Sequence, residues 1–172
     1  MTPLLNYHID EERRLLWIIH RKVAGSSIRE AIGCRVMIDL EKALTARHFH
    51  TITVVRHPWA RVTSAAHNPY DDDRSFAQKI EEEILSKRSP VHVDWHFLPQ
   101  WLPLAAFQVN RYILMENLTN EWPDLQRRYD YGELQHKNRG DAHDWREMDF
   151  DWSLLEPWYY RDFDINPDWE RE

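Results

Sequence analysis

At 172 residues the chain is long enough for one domain with a substantial core, and a net charge of −7 argues against general nucleic-acid binding. No apolar run approaches a membrane span, and Asp10, Glu11, Glu12, Arg13 and Arg14 after a short apolar start give no signal-peptide pattern. A single cysteine, Cys34, excludes an intramolecular disulfide and suits a reducing compartment, so a cytoplasmic chain without a membrane partner is expected.

In chain order, Leu15 to Ile19 is an apolar run that predicts a buried strand, followed by a loop over 20–25 and a helix over 26–32 that Gly33 stops. Residues 34–50 fit neither period. Thr51 to Val55 is rich in β-branched residues and predicts a second buried strand, with Pro58 placed to begin a helix. Asn68-Pro69 and the acids after it predict a turn. Ser75 is set to cap a helix to about residue 86, with Phe76, Ile80 and Ile84 on one face. Pro90, Pro99 and Pro103 restrict residues 89–105 to short helical pieces. Tyr112 to Met115 is the third predicted strand, Asn120 begins another helix, and Ser153 to Phe163 forms the last, punctuated by Pro157. Strands alternating with helices imply an α/β fold around a parallel sheet with right-handed crossovers, in a single domain over 1–172.

Charge is uneven along this plan. Residues 13–61 hold ten Lys or Arg against three acids, whereas residues 62–172 hold twelve against twenty-three. The basic portion also carries two segments that follow predicted strands and open predicted helices. The first, Lys22-Val23-Ala24-Gly25-Ser26-Ser27, puts a cation, a glycine and two hydroxyls at a helix N-terminus, where backbone N–H groups and the helix dipole favour an anion. A side chain at Gly25 would block the backbone's approach to phosphate oxygens. In the second, Arg56 offers a planar fork suited to phosphate, and Ser64 lies two helical turns further on. Ligands of parallel α/β sheets bind at the carboxyl ends of the strands, which is where both segments begin.

Together the two segments resemble the sulfotransferase family, which uses 3'-phosphoadenosine 5'-phosphosulfate as donor. Further echoes of its carbohydrate-type branch are Ser75-Phe76, His96-Phe97-Leu98-Pro99-Gln100, Tyr112 to Leu118, His136-Lys137-Asn138 and Tyr160-Arg161-Asp162-Phe163. Two positions depart from the family: Arg21 stands in place of its usual Pro, and Val23 in place of Ser or Thr. The resemblance implies a three-layer, P-loop-like sheet flanked by helices and a small bacterial or viral relative. It implies a 5'-phosphosulfate site at Arg21, Lys22, Ala24, Gly25, Ser26 and Ser27, and a 3'-phosphate site at Arg56 and Ser64. Lys137 and Arg139 would close over the nucleotide, or belong to a solvated loop. Arg61 takes the family's second-arginine position, with an outward ion pair as the other reading.

By the same resemblance Lys22 stabilises the leaving group and a base accepts the acceptor's proton. His96 is the candidate base, with His20 and Glu116, both expected at strand ends, as rivals. The acceptor is a hydroxyl, with carbohydrate ahead of peptide tyrosine and small alcohols. No metal is expected: His48 with His50, and His92 with His96, have ligand spacing without a third ligand. Trp95, Trp101, Trp145 and Trp152 offer acceptor-stacking surfaces. Two other functions remain open: an ATP-dependent kinase of P-loop type, which would need the Gly-rich spacing this loop lacks, and a non-catalytic nucleotide-binding protein of the same fold.

Overall fold

The computed structural model of the chain describes residues 6–33, 38–67, 73–135 and 143–169. Cys34, Lys137, Arg139 and most of the turn expected after Asn68 lie outside the described residues. The described chain divides into two compact units, one of residues 6–56 and 103–135, the other of residues 57–102 and 143–169.

The first unit is a mixed α/β structure on an open four-stranded sheet, β1 (Asn6–Asp10), β2 (Leu15–Ile19), β3 (His50–Val55) and β4 (Arg111–Leu114), in that spatial order. The sheet is not wholly parallel as expected. β2, β3 and β4 run parallel, but β1 pairs antiparallel with β2, from Asn6 opposite Ile19 to Asp10 opposite Leu15. Asp10 makes this hairpin: its carboxylate accepts the Arg13 backbone N–H and guanidinium, each at 3.0 Å, and Arg14 turns the chain at φ 54°.

All five residues of β2 are buried, the pattern of a strand covered on both faces. One face presents Leu15, Trp17 and Ile19 beside Ile52, Val54 and Ile113. Against it pack α1 (Gly25–Ala31), through Ile28 and Ala31, and α6 (Leu118–Tyr129), through Leu118, Trp122 and Leu125 at helical spacing. Gly33 stops α1 as expected, at φ 68°, donating to the Glu30 carbonyl at 3.0 Å. Between α1 and β3, a stretch with no clear hydrophobic period, lies the short α2 (Leu40–Thr45), capped by Asp39 accepting the Lys42 N–H at 2.8 Å.

The second unit opens with α3 (Pro58–Ala66), with proline in its first turn and the His57 ring accepting the Trp59 N–H. Ser75 and Gln78 form a reciprocal capping box at the start of α4 (Phe76–Ile80). The helix expected to run to residue 86 instead widens into a π turn, Glu81–Leu85, closed by Ser86 N–H on the Glu81 carbonyl at 2.8 Å. As the prolines require, residues 89–105 contain only a 3-10 turn, Pro90–His92, and the one-turn α5 (Trp101–Leu104). α6 (Leu118–Tyr129) starts two residues before Asn120. The final expected helix is broken into a 3-10 turn, Trp152–Leu155, and the one-turn α7 (Glu156–Tyr159). Among the described residues no helix is long and apolar enough to cross a membrane.

Candidate functional site

In the first unit the chain leaves β2 through a loop with two non-glycine residues in the left-handed region, Lys22 at φ 64° and Ala24 at φ 59°. Each such residue costs roughly 1–2 kcal/mol, so the surrounding structure must impose them. The Val23 side chain is fully buried in the core between them and pins the loop. Val23 is thus an apolar anchor for the loop. Ala24 has no side chain with which to cap α1, and its left-handed backbone precedes the right-handed helix. A left-handed residue next to right-handed ones is the kind of backbone in which successive N–H groups can converge on an anion.

Glycine at 25 has a reason within the fold itself. A Cβ there would stand 3.0 Å from Ile19 Cγ2 and 3.5 Å from the His20 carbonyl, so the residue lets the loop fold back on the end of β2. Gly25→Ala is expected to lower stability by roughly 1–3 kcal/mol through overpacking, read as a fall in the urea midpoint. Ser26 is exposed and Ser27 buried. Arg29, which the sequence reading passed over, donates to the Ser26 hydroxyl at 3.3 Å. Its spacing of three from Ser26 on a helix was the available signal.

Arg56 follows β3 directly, is half-buried, and its guanidinium donates to the Lys22 carbonyl at 3.4 Å. The two expected phosphate segments therefore meet at the carboxyl ends of adjacent parallel strands. Arg21 and Lys22 are half-buried in the same loop, and His20 at its entry is 3 % exposed. Glu116 does not end a strand: β4 stops at Leu114, and Glu116 sits exposed in a 3-10 turn, Met115–Asn117.

Ser64 and His96 belong to the second unit, Ser64 half-buried on α3. Arg61, three residues before Ser64, makes no outward ion pair. It is 1 % exposed and donates to the carbonyls of His96 at 3.0 Å, Phe97 at 3.3 Å and Leu98 at 2.6 Å. The Tyr159 hydroxyl also donates to the Phe97 carbonyl. Asp162, fully buried, accepts the N–H groups of Gln100 at 3.0 Å and Trp101 at 2.8 Å. The His96 to Gln100 motif and the Tyr160 to Phe163 motif are thus tied together by backbone bonds to a buried acid.

Desolvation pushes the Asp162 carboxyl up to about 6, against the opposing pull of Arg61 and the bonded N–H groups. A carboxyl raised above its unfolded value of about 3.9 contributes stability that is complete below that value and is lost as pH rises through about 6. Relative to Asp162→Asn, the wild-type chain should therefore lose about 2 kcal/mol between pH 4 and pH 7. Urea titrations of both chains at those two pH values check the sign.

His96 pairs with Asp94, which the sequence reading also missed; an acid two residues before a histidine was its signal. Nδ1 lies 2.9 Å from Asp94 Oδ1, and the His96 backbone N–H donates to the same oxygen at 2.9 Å. Burial acts to raise the Asp94 carboxyl, but the ring and backbone hydrogen bonds outweigh it and hold the group below the usual carboxylate value. Trp101 lies under the Arg161 guanidinium at 4.6 Å, Trp145 under that of Arg146 at 4.7 Å, and Trp152 is buried among Trp59, Phe76 and Phe150, so none of the three is a bare stacking face. His92 Nδ1 lies 2.8 Å from the Ser89 hydroxyl, and among the described residues no group of three or more His, Cys, Asp or Glu could hold a metal ion.

Protein-family models, curated proteins and solved structures provide no match to the chain.

Proposed function

We propose that the chain is a sulfotransferase of the carbohydrate-type branch, moving a sulfuryl group from 3'-phosphoadenosine 5'-phosphosulfate to a hydroxyl acceptor, with a carbohydrate as the preferred class. One observation carries the reading: the loop bearing Lys22 and the arginine ending β3 converge, with Arg56 on the Lys22 carbonyl. A nucleotide with phosphates on both sides of its ribose is a two-part anion that cations at neighbouring strand ends would suit.

On this reading the loop N–H groups and the hydroxyls of Ser26 and Ser27 take the 5'-phosphosulfate, and Arg56 takes the 3'-phosphate. The acceptor oxygen forms its bond to sulfur as the bond from sulfur to the phosphate oxygen breaks. The electron pair of that bond stays on the nucleotide, where Lys22 stabilises it. The acceptor's proton passes to His96.

Adenosine 3',5'-bisphosphate should raise the melting temperature in the absence of Mg²⁺, adding about 2.7 kcal/mol at a hundredfold excess over its dissociation constant. Arg56→Ala should weaken that binding by about 1.5–3 kcal/mol, measured by calorimetry. ATP with Mg²⁺ lacks the 3'-phosphate and should stabilise the chain much less. A larger shift with ATP and Mg²⁺ would replace this reading with the kinase.

A further inference from the structure

Asp94, Trp95 and His96 hold one imidazole from several directions. A single carboxylate oxygen of Asp94 meets both the ring Nδ1 and the backbone N–H of His96. The Trp95 ring lies 4.6 Å from the imidazole, and Arg61 fixes the carbonyl of the same residue. Nε2 has no hydrogen-bond partner among the described residues, and the side chain keeps 26 % exposure. The charged and titratable neighbours are Asp94, Arg61 on the carbonyl, and His92 one step back in the segment, itself engaged with Ser89.

Which nitrogen of a neutral imidazole carries the proton is decided by the hydrogen bond made at the other. A carboxylate accepts but cannot donate, so its contact with Nδ1 requires the proton to be there and places the lone pair on Nε2. We infer that Asp94 is a positioning residue that fixes the Nδ1–H tautomer of His96 and so makes Nε2 the atom that receives the proton of an incoming hydroxyl. As the proton arrives, the imidazolium gains a positive charge beside the Asp94 carboxylate, which lowers the cost of the step. The tautomer follows from the local geometry alone; its use in sulfuryl transfer rests on the function proposed above.

Long-range ¹H–¹⁵N spectra of the histidine rings test the tautomer, on the wild-type chain and on Asp94→Ala and Asp94→Asn. The wild type should show Nδ1–H at His96 and Asp94→Ala a shift toward Nε2–H. Asp94→Asn should retain Nδ1–H, because the amide oxygen still accepts. Single-turnover transfer from the phosphosulfate donor to a carbohydrate panel should fall about 10–100-fold in Asp94→Ala and less in Asp94→Asn, with bisphosphate affinity within about twofold of wild type in both. Nε2–H in the wild type, or an Asp94→Ala chain with unchanged tautomer, would overturn the assignment. An unchanged transfer rate despite a switched tautomer would overturn the role in catalysis. A wild-type chain that transfers nothing while Asp94→Ala still switches the tautomer would sink the sulfotransferase reading and leave the positioning by Asp94 standing.

Discussion

Replacing Arg61 with alanine is expected to unfold the second unit under conditions where the wild-type chain is native. The guanidinium satisfies three carbonyls, and among the described residues only that of Phe97 would keep another donor, the Tyr159 hydroxyl. The carbonyls of His96 and Leu98 would be stranded, at about 1–3 kcal/mol each. Asp162 would also lose the cation that opposes its desolvation. Against a total domain stability of roughly 5–15 kcal/mol the variant has little margin left. Arg61→Lys should recover only part, since one ammonium cannot span three carbonyls with the geometry of a planar fork. Tryptophan fluorescence is suited to the measurement, because Trp17 and Trp122 are in the first unit and the other seven tryptophans are in the second. A midpoint within error of wild type would show that the carbonyl cluster does not depend on Arg61.

His96→Ala is expected to lower the transfer rate by about 10²–10⁴ while leaving adenosine 3',5'-bisphosphate binding nearly intact. The ring is partly exposed and its only hydrogen-bond partner among the described residues is Asp94, so its loss strands one acceptor near the surface and should disturb the fold little. Lys22→Ala should also depress turnover more than affinity, since the charge it faces grows as the leaving group departs. Single-turnover rates beside calorimetry check both variants. Full transfer activity in His96→Ala, with collapse in His20→Ala, would move the proton acceptor into the loop after β2.

What could be read from the sequence follows from how much each segment depends on its own residues. β2 and β3 were legible to within one residue, because runs such as Leu15 to Ile19 and Thr51 to Val55 are apolar enough to require burial on both faces. β1 was not, because Asn6-Tyr7-His8-Ile9-Asp10 is half polar and gains its strand character from pairing with β2. The π turn after α4 was equally hidden. Ile80 and Ile84 keep a helical face, and the change of bonding among Glu81, Glu82 and Glu83 accompanies an ion pair of Arg74 with the latter two. At the candidate site, the meeting of Lys22 and Arg56 was legible from parallel-strand topology, which sends both to the same sheet end. The fate of Arg61 was not. Sequence gives a charge but not its depth, and only the folded chain shows this guanidinium spent on backbone carbonyls.

The two compact units have a consequence for the order in which the protein is made. The first needs β4, which lies beyond residues 57–102, and the second needs residues 143–169, which lie beyond β4 and α6. Each is interrupted by a stretch of the other. The hairpin of β1 and β2 closes over four residues and can form as soon as it leaves the ribosome, but the pairing of β3 with β4 must wait for a loop of more than fifty residues. During that wait one edge of β3 has no strand to pair with, so the nascent chain passes through a stage vulnerable to association with other chains. Cutting the sequence at any single point would give two fragments that each carry an incomplete unit, and a rearranged gene that makes either unit continuous would need a new linker across its gap.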